Sequence, residues 1–402
     1  MKDFILSVCF CSFSIIGGII GAGFITGAEI VRFFPLYTVF PCCFLLFVLL
    51  FLFLFGIMSA GANYGEKQSN LRVLGAFYKI YEPFVLTVSF ISVVSMCAGI
   101  DNLVATVSGV SEKIPSASLP LIVASYFVCK KGVNGIGVFN LVLVPVMILF
   151  ILPLGAGLDM CETGNYPVSL RKIAEIIIYA GMNCFTSAPL LFEQGEKYGL
   201  KAVFAGALFA SLIVSVCVGV VVVRIAVTGS GGAMPIMSSL LQNRTYYSLF
   251  AFITALGIVT TLVCAHFALV SFASKYPVKR TLNGVIILLA IAVSRLGFES
   301  IINFVYPLVG VFGAAYCISI AVFSFRNIFF QKAGKRKSLL SFGVDFPFRK
   351  RNERVHTRGE NAKNESGGVN EVESENLPSV NDEIADARFG NKVFSHNRAD
   401  PT

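Results

Sequence analysis

A cluster of glycines near the N-terminus is the first feature that suggests a functional site. Residues 17–27 contain five glycines around the segment GAGFITG, and Glu29 and Arg32 follow directly. Glycine weakens a helix by about 1 kcal/mol relative to alanine, so this density predicts an interrupted helix. In a bilayer, an interruption persists only where protein or a water-filled cavity satisfies the freed backbone groups. The alternative is that the glycines only allow helices to pack closely. The candidate solute-binding residues here are Gly21, Ala22, Gly23, Phe24 and Thr26.

A second apolar segment, YAGMNCFTSAPLLFEQG, carries a similar polar interruption. Asn183, Thr186 and Ser187 supply amide and hydroxyl groups, and Pro189 lacks the N–H of a regular helix. Matched interruptions in two halves of a chain are typical of a transporter site. There, half-helix N-termini attract anionic groups and freed carbonyls coordinate a cation. We therefore add Asn183, Thr186 and Ser187 to the candidate solute-binding residues.

Two adjacent threonines suggest a cation site. Thr260 and Thr261 lie in GIVTTLVCAHFALVSF, and their hydroxyl oxygens, with the backbone of Gly21 and Phe24, would suit Na⁺ as a coupling ion. The alternative is that both threonines bond their own helix, as threonines in membrane helices often do. His266 on the same segment would either relay protons or form a hydrogen bond between helices.

Ionisable residues inside membrane spans need partners or water, because each costs about 2.5–3.5 kcal/mol at the helix centre. Glu29 and Asp101 are such residues, unless they lie near the outer surface. Arg32 and Glu299 each lie beside a predicted span on the same side, so they suggest an extracellular gate pair. The alternative is two unrelated interfacial charges.

The elements that position these residues are hydrophobic helices. Of the 402 residues, 55% are hydrophobic and 14% charged, against about 25% charged in soluble domains. Since a bilayer core needs about 20 apolar residues per helix, the chain is predicted to be an all-α integral membrane protein. The ten predicted spans are residues 4–34, 37–60, 81–110, 114–129, 133–155, 173–192, 202–223, 247–273, 282–294 and 301–325. The cysteines lie mostly in these apolar runs and are predicted to be small hydrophobes, not metal ligands or disulfides.

Charge predicts the topology and the tail. Lys and Arg are more frequent in loops on the N-terminal side, such as those holding Lys130, Lys131, Lys279 and Arg280, so both termini are predicted to be cytoplasmic. This pattern also accounts for the net charge of +9 without a nucleic-acid partner. Residues 1–330 form the predicted transmembrane domain. Residues 331–402, basic and then polar, form a predicted disordered cytoplasmic tail, whose first part either contacts anionic lipid or is a plain anchor flank.

Five segments give the chain a resemblance to a known family. They are IIGAGFITGAEIVRFF, GVNGIGVFNLVLVPVMIL, IIYAGMNCFTSAPLL, ITALGIVTTLVCAHFALVS and GFESIINFVYPLVGVFGAAY. In these the chain resembles the YkvI-type membrane proteins of the amino acid-polyamine-organocation (APC) transporter superfamily. The resemblance implies a LeuT-like fold of two inverted five-helix repeats, about residues 4–155 and 171–325, with discontinuous helices 1 and 6. It also implies that the eighth span contributes to a cation site. Ala28 and the long basic tail depart from the family pattern.

The function expected from these features is secondary active transport of a small organic solute, an amino acid or related amine, in symport with Na⁺ or H⁺ at the cell membrane. The alternative is a solute-sensing receptor of the same fold that signals through its tail. An enzyme is not expected, because no paired carboxylates and no HExxH or GxSxG motif lie within a span. The expected partners are the solute and membrane lipids, with no cofactor apart from Na⁺.

Overall fold

The structure is a computed structural model that describes residues 2–35, 38–109, 111, 114–155, 169–228, 236, 244–296 and 306–341. Within these residues the secondary structure is entirely helical. The helices are α1 (Lys2–Ile19), α2 (Ala22–Ile25), α3 (Ala28–Phe33), α4 (Val39–Leu74), α5 (Tyr78–Ser108), α6 (Ser118–Cys129), α7 (Gly132–Ile151), α8 (Leu170–Thr186), α9 (Ala188–Thr228), α10 (Arg244–Ser274), α11 (Lys279–Val293) and α12 (Tyr306–Ser341).

The helices coincide with the predicted spans. Five helical segments are long and apolar enough to cross a bilayer: Val39–Ser108, Gly132–Leu154, Ala188–Thr228, Tyr246–Ser274 and Tyr306–Ile328. The first contains two predicted spans, α4 and α5. Asp3–Ile19 and Ser118–Cys129 are shorter apolar helices, and the predicted spans at 173–192 and 282–294 correspond to α8 with the start of α9, and to α11. The chain is therefore an all-α, multi-pass membrane protein.

The first predicted span is interrupted twice. Helix α1 ends at Ile19 and α2 begins at Ala22, then Thr26 and Gly27 separate α2 from α3. Gly27 has φ of 85°, a left-handed conformation that glycine adopts without steric cost. The glycine cluster thus divides one span into three short helices, as the sequence predicts. We call residues 20–27 the first interruption.

The sixth predicted span is interrupted more narrowly. Helix α8 continues through Asn183 to Thr186, and α9 begins at Ala188, so only Ser187 lies between them. Ser187 keeps φ and ψ of −89° and −1°, and its N–H still donates to the Asn183 carbonyl at 3.3 Å. We call Ser187 the second interruption. It is smaller than the sequence suggests, because Pro189 falls in the first turn of α9, where its missing N–H is not needed.

Close glycine contacts hold the helices around these interruptions. A Cβ on Gly61 of α4 would lie 2.5 Å from the Phe192 carbonyl oxygen of α9, and a Cβ on Gly195 of α9 would clash with the Met58 carbonyl of α4. A Cβ on Gly313 of α12 would lie 2.6 Å from the Gly181 carbonyl of α8. Small residues let membrane helices approach to backbone contact, so the helices on both sides of the second interruption pack closely against long helices.

Helices α4 and α9 each contain one non-helical glycine. Gly65 has φ 74° and ψ 167°, and Gly199 has φ 73° and ψ 165°. The Glu66 N–H, next to Gly65, donates to the Glu196 carboxylate at 3.1 Å. The two kinks therefore neighbour each other across the α4–α9 pair.

The described residues all belong to one compact unit. Helix α12 runs to Ser341, past the predicted domain boundary at residue 330. The predicted disordered tail beyond this helix lies outside the described residues.

Candidate functional site

At the first interruption, a backbone carbonyl accepts a hydrogen bond from a side chain of another helix. In a regular helix the Gly21 N–H would bond the Gly17 carbonyl, but it donates to the Ile19 carbonyl at 3.0 Å. The Gly17 carbonyl instead accepts the Thr261 hydroxyl of α10 at 3.0 Å. A buried carbonyl released by a helix break thus finds a partner, as a bilayer environment requires.

A cavity, the central cavity, lies beside this break. Its lining comes from seven parts of the chain: α1, the first interruption, α3, α5, α8, α10 and α12 contribute Gly18, Ile19, Gly21, Glu29, Val88, Ile91, Ser92, Met96, Met182, Asn183, Thr186, Thr261, Tyr306 and Val309. The space open to the centres of water molecules is about 30 Å³, room for one or two waters. In this conformation that space is smaller than an amino acid.

The end of α1, just before the first interruption, lies against the second interruption, although Ser187 itself does not line the cavity. A Cβ on Gly18 would lie 3.2 Å from the Ser187 hydroxyl oxygen. On α8, Asn183 donates to the Tyr179 carbonyl at 3.0 Å, and Thr186 donates to the Met182 carbonyl at 2.8 Å. Their remaining oxygen lone pairs are left to accept from a molecule in the cavity.

The two candidate threonines have different environments. Thr261 lines the central cavity, and a Cβ on Gly21 would lie 2.8 Å from its hydroxyl oxygen. Thr260 donates to the Gly257 carbonyl of its own helix at 3.0 Å and lies against the Met147 sulfur at 3.8 Å. Adjacent helical residues point about 100° apart, so only Thr261 reaches the first interruption. For Thr260 the geometry matches the alternative of bonding within its own helix.

Glu29 lines the central cavity. The sequence alone left open whether this residue lies in the membrane interior or near the outer surface. It is 5% exposed, and its carboxylate packs so closely on Gly23 that a Cβ there would overlap it. Tyr179 and Tyr306 are near enough to interact with its charge. Glu29 forms no ion pair within the part of the chain that the structure describes. A carboxylate without a partner in a membrane span marks a site for a proton, a cation or a ligand.

The other candidate solute-binding residues pack behind the cavity. Ala22, Gly23, Phe24 and Thr26 are buried and do not line the cavity. The Thr26 hydroxyl donates to the Ala22 carbonyl of its own helix at 2.7 Å. Gly21, Asn183 and Thr186 therefore line the site directly, whereas these residues shape the break.

The predicted gate pair of Arg32 and Glu299 cannot be compared with the structure, because Glu299 lies outside the described residues. Arg32 is half-buried, with its guanidinium 5.9 Å from the centre of the Phe33 ring.

A different ion pair is present: Arg295 donates to Asp101 at 2.5 Å, with the two side chains 25% and 2% exposed. Asp101 also accepts the N–H groups of Ala117 at 3.2 Å and Ser118 at 3.0 Å. It thus caps α6 and ties α5 to the end of α11.

His266 forms a hydrogen bond between helices, the second of the two roles that the sequence suggested. Its Nδ1 lies 2.6 Å from the Ser125 hydroxyl, so it joins α10 to α6, and it is fully buried. It does not line the central cavity. The hydrogen bond between helices that the sequence suggested as one of two roles is therefore present.

A cluster of aromatic side chains lies next in sequence to residues that line the central cavity. We call Tyr81, Phe84, Phe185 and Tyr316 the aromatic cluster. Phe185 contacts the other three with ring centroids 5.2–6.4 Å apart. On α8, Phe185 comes directly before the cavity residue Thr186. Tyr81 of the cluster also lines a second cavity, together with Pro189.

Sequence reasoning missed the side chains that complete the central cavity. Ser92 and Met96 come from α5, and Tyr306, whose hydroxyl donates to Ser95 at 3.1 Å, comes from the start of α12. Nothing in the local sequence separates them from other residues of apolar helices. Only the packing of α5 and α12 around the interruptions brings them to the site.

Comparisons with known proteins give little further information. No protein-family model matches the chain, and no curated protein matches it. Among solved structures, it is similar to crystal structures of the Eremococcus coleocola manganese transporter. The complex with an aromatic bis-isothiourea substituted compound has 10% identity and a TM-score of 0.41, with 79% of this chain and 72% of that chain covered. A glutamate-to-alanine mutant has 10% identity and a TM-score of 0.41, with 81% and 73% covered. At these values we base no conclusion on the similarity.

Proposed function

We propose that this protein is a secondary active transporter that moves a small organic solute, an amino acid or a related amine, across the cell membrane. A Na⁺ or H⁺ gradient drives the movement by alternating access, and both termini are cytoplasmic. The observation that carries the proposal is the central cavity, where two interrupted helices, the Thr261 hydroxyl and the Glu29 carboxylate meet. Paired helix interruptions around a polar cavity are the usual construction of a transporter site.

The lining of the central cavity favours an amine-bearing solute. Glu29 offers a buried negative charge for an ammonium group, and Asn183 and Thr186 offer oxygen acceptors. Val88, Ile91 and Met96 provide an apolar wall for a small side chain. Divalent metal ions prefer several oxygen ligands, often including carboxylates, and Glu29 is the one carboxylate in the described lining. An organic solute therefore suits the cavity better than a metal ion.

The first interruption supports ion coupling. The Gly17 carbonyl and the Thr261 hydroxyl place two oxygen atoms at the point where the backbone is no longer helical, and freed carbonyls at such breaks coordinate Na⁺ in transporters. Glu29 is the group that would take up a proton if H⁺ were the coupling ion. The sequence resemblance to the YkvI-type proteins supports the further proposal of a LeuT-like inverted repeat.

Uptake into proteoliposomes tests this function. We expect at least one radiolabelled amino acid to accumulate when a Na⁺ or H⁺ gradient is imposed, and not without a gradient. Glu29→Gln should lower uptake at least tenfold, because it removes the charge that complements the ammonium group. Asp3→Asn is the matched control, since it removes a carboxylate from the exposed start of α1, and it should transport normally.

Binding without flux would contradict the transporter proposal. If an amino acid raises the melting temperature of the purified protein but never accumulates under any gradient, the protein is a receptor. Deletion of residues 332–402 would then abolish the cellular response to that solute while leaving binding intact. Accumulation by the same truncated chain would support transport.

A further inference from the structure

A second cavity, the polar pocket, has Tyr81 of the aromatic cluster in its lining. Its space for the centres of water molecules is about 270 Å³, compared with about 30 Å³ in the central cavity. Ligand pockets in proteins usually have about 300–1,000 Å³, so the polar pocket suits a small solute. Its polar lining includes Glu66, Lys67, Asn70, Tyr81, Glu82 and Lys275.

The charges of the polar pocket are only partly paired with each other. Lys275 and Glu82 form an ion pair at 2.6 Å, with both side chains about half exposed. Glu66 and Lys67 form no ion pair with any residue that the structure describes. The Glu66 carboxylate receives a hydrogen bond from Tyr81 at 3.4 Å. The Glu66 carboxylate and the Lys67 ammonium group, which both line the polar pocket, are therefore available to bind a ligand.

Asn70 provides a second, independent indication of a ligand. It is fully buried, and its side-chain oxygen accepts the Tyr316 hydroxyl at 2.7 Å. Its side-chain nitrogen is buried and has no hydrogen-bond partner among the described residues. Leaving a buried donor unpaired costs about 1–3 kcal/mol, and a ligand acceptor in the pocket would recover that energy.

We propose that the polar pocket is a binding site for a small zwitterion, separate from the central cavity. Glu66 binds the ammonium group, and the Asn70 amide nitrogen and Lys67 bind the carboxylate. A molecule with only one of these charges leaves either Glu66 or the donors unpartnered. The inference goes beyond the proposed function, because such a site binds its ligand whether or not the solute is then transported.

The polar pocket and the central cavity share no lining residue, so they are distinct sites. On α5, Tyr81, Val85 and Leu86 line the polar pocket, whereas Val88 and Ile91 line the central cavity. Tyr316 stacks on Tyr81 with ring centroids 5.3 Å apart and donates to Asn70. A ligand in the polar pocket would therefore contact Tyr81 and, through it, the aromatic cluster.

Because the chain contains no tryptophan, a single introduced tryptophan reports one cavity at a time. Phe272→Trp places the reporter in the polar pocket and Ile91→Trp places it in the central cavity. Leu86→Trp, also in the polar pocket, replaces Phe272→Trp if that variant misfolds. The purified full-length variants are titrated with each of the common L-amino acids, and with ethylamine and acetate as molecules of single charge.

We expect at least one amino acid to change the fluorescence of Phe272→Trp with saturation, and ethylamine and acetate to leave it unchanged. Adding Glu66→Gln should weaken this binding at least tenfold, and adding Lys67→Gln should weaken it severalfold. Lys79→Gln is the matched control, because Lys79 is exposed and does not line the pocket, and it should bind normally.

Three outcomes would overturn the polar-pocket proposal: no response of a folded polar-pocket reporter to any amino acid, an equal response to ethylamine, or unchanged binding in Glu66→Gln. Each is separable from the transport proposal. If Ile91→Trp responds and uptake persists while Phe272→Trp is silent, only the second site fails. If Phe272→Trp responds in a protein without uptake under any gradient, only transport fails.

Discussion

The two helix interruptions differ in construction although residues at or beside each line the central cavity. The first extends over residues 20–27 and redirects hydrogen bonds, so that the Gly17 carbonyl depends on Thr261 of another helix. The second is the single residue Ser187, and the hydrogen bonds around it remain nearly helical. The first therefore supplies backbone atoms to the site, whereas the helix end beside the second supplies the side chains of Asn183 and Thr186. In this protein, therefore, the backbone is unwound at only one of the two interrupted helices, the first.

This difference predicts the largest effect for a methyl group added at the first interruption. Gly21→Ala would place its Cβ 2.8 Å from the Thr261 hydroxyl oxygen and force apart the contact between the break and α10. We expect uptake to fall more than tenfold and stability to fall by about 1–3 kcal/mol, measured by transport and thermal unfolding in detergent. Gly284→Ala is the control, because no atom lies within 4 Å of that Cβ position. Normal uptake by Gly21→Ala would mean that the first interruption does not form the site.

Loss of the Thr261 hydroxyl should have the next largest effect. Thr261→Val leaves the Gly17 carbonyl without its partner, at a cost of about 1–3 kcal/mol, and should weaken the dependence of uptake on Na⁺. Thr260→Val has the same chemistry one residue away, where the hydroxyl bonds its own helix and the Met147 sulfur and does not contact the first interruption. It should change stability by less than about 1 kcal/mol. Equal effects of the two variants on the Na⁺ dependence of uptake would show that the hydroxyl facing the break has no special role.

A change at the second interruption should have a smaller effect. Pro189→Ala restores a backbone N–H at the start of α9, where a helix does not need one. We expect stability to change by less than about 1 kcal/mol and uptake to change no more than twofold. A loss of uptake as large as that of Gly21→Ala would show that the two interruptions are equivalent.

Removal of the Ser187 hydroxyl should have the smallest effect. Ser187 is not among the described residues that line the central cavity. We expect Ser187→Ala to change the free energy of unfolding by no more than about 0.5 kcal/mol, with uptake close to that of the unmodified protein. A marked fall in uptake at unchanged stability would instead place Ser187 in contact with the solute.

Hydrophobicity and glycine content were enough to predict the helices and the position of the first interruption. Each of the ten predicted spans overlaps one or more helices of the described residues, and GAGFITG is where the first span breaks. These features are local, because a run of apolar residues or of glycines acts on its own segment.

The arrangement of side chains could not be predicted, since it depends on packing between distant segments. Thr260 and Thr261 are equivalent in sequence, and only the position of α10 against α1 separates them. Asp101 and Arg295 are 194 positions apart, and no local pattern pairs them. Glu29 packs back against Gly23 because the chain makes a left-handed turn at Gly27. The sequence alone does not predict the conformation of this turn.

The interlocked glycines of α4 and α9 have a mechanical consequence. Gly61 and Gly195 bring backbone against backbone, so neither helix can slide along the other without overlap of main-chain atoms. The neighbouring kinks at Gly65 and Gly199 are the nearest points where the direction of either chain can change. We therefore expect the start of α9 and the part of α4 before Gly65 to move together in any conformational change, with Glu66 beside both kinks.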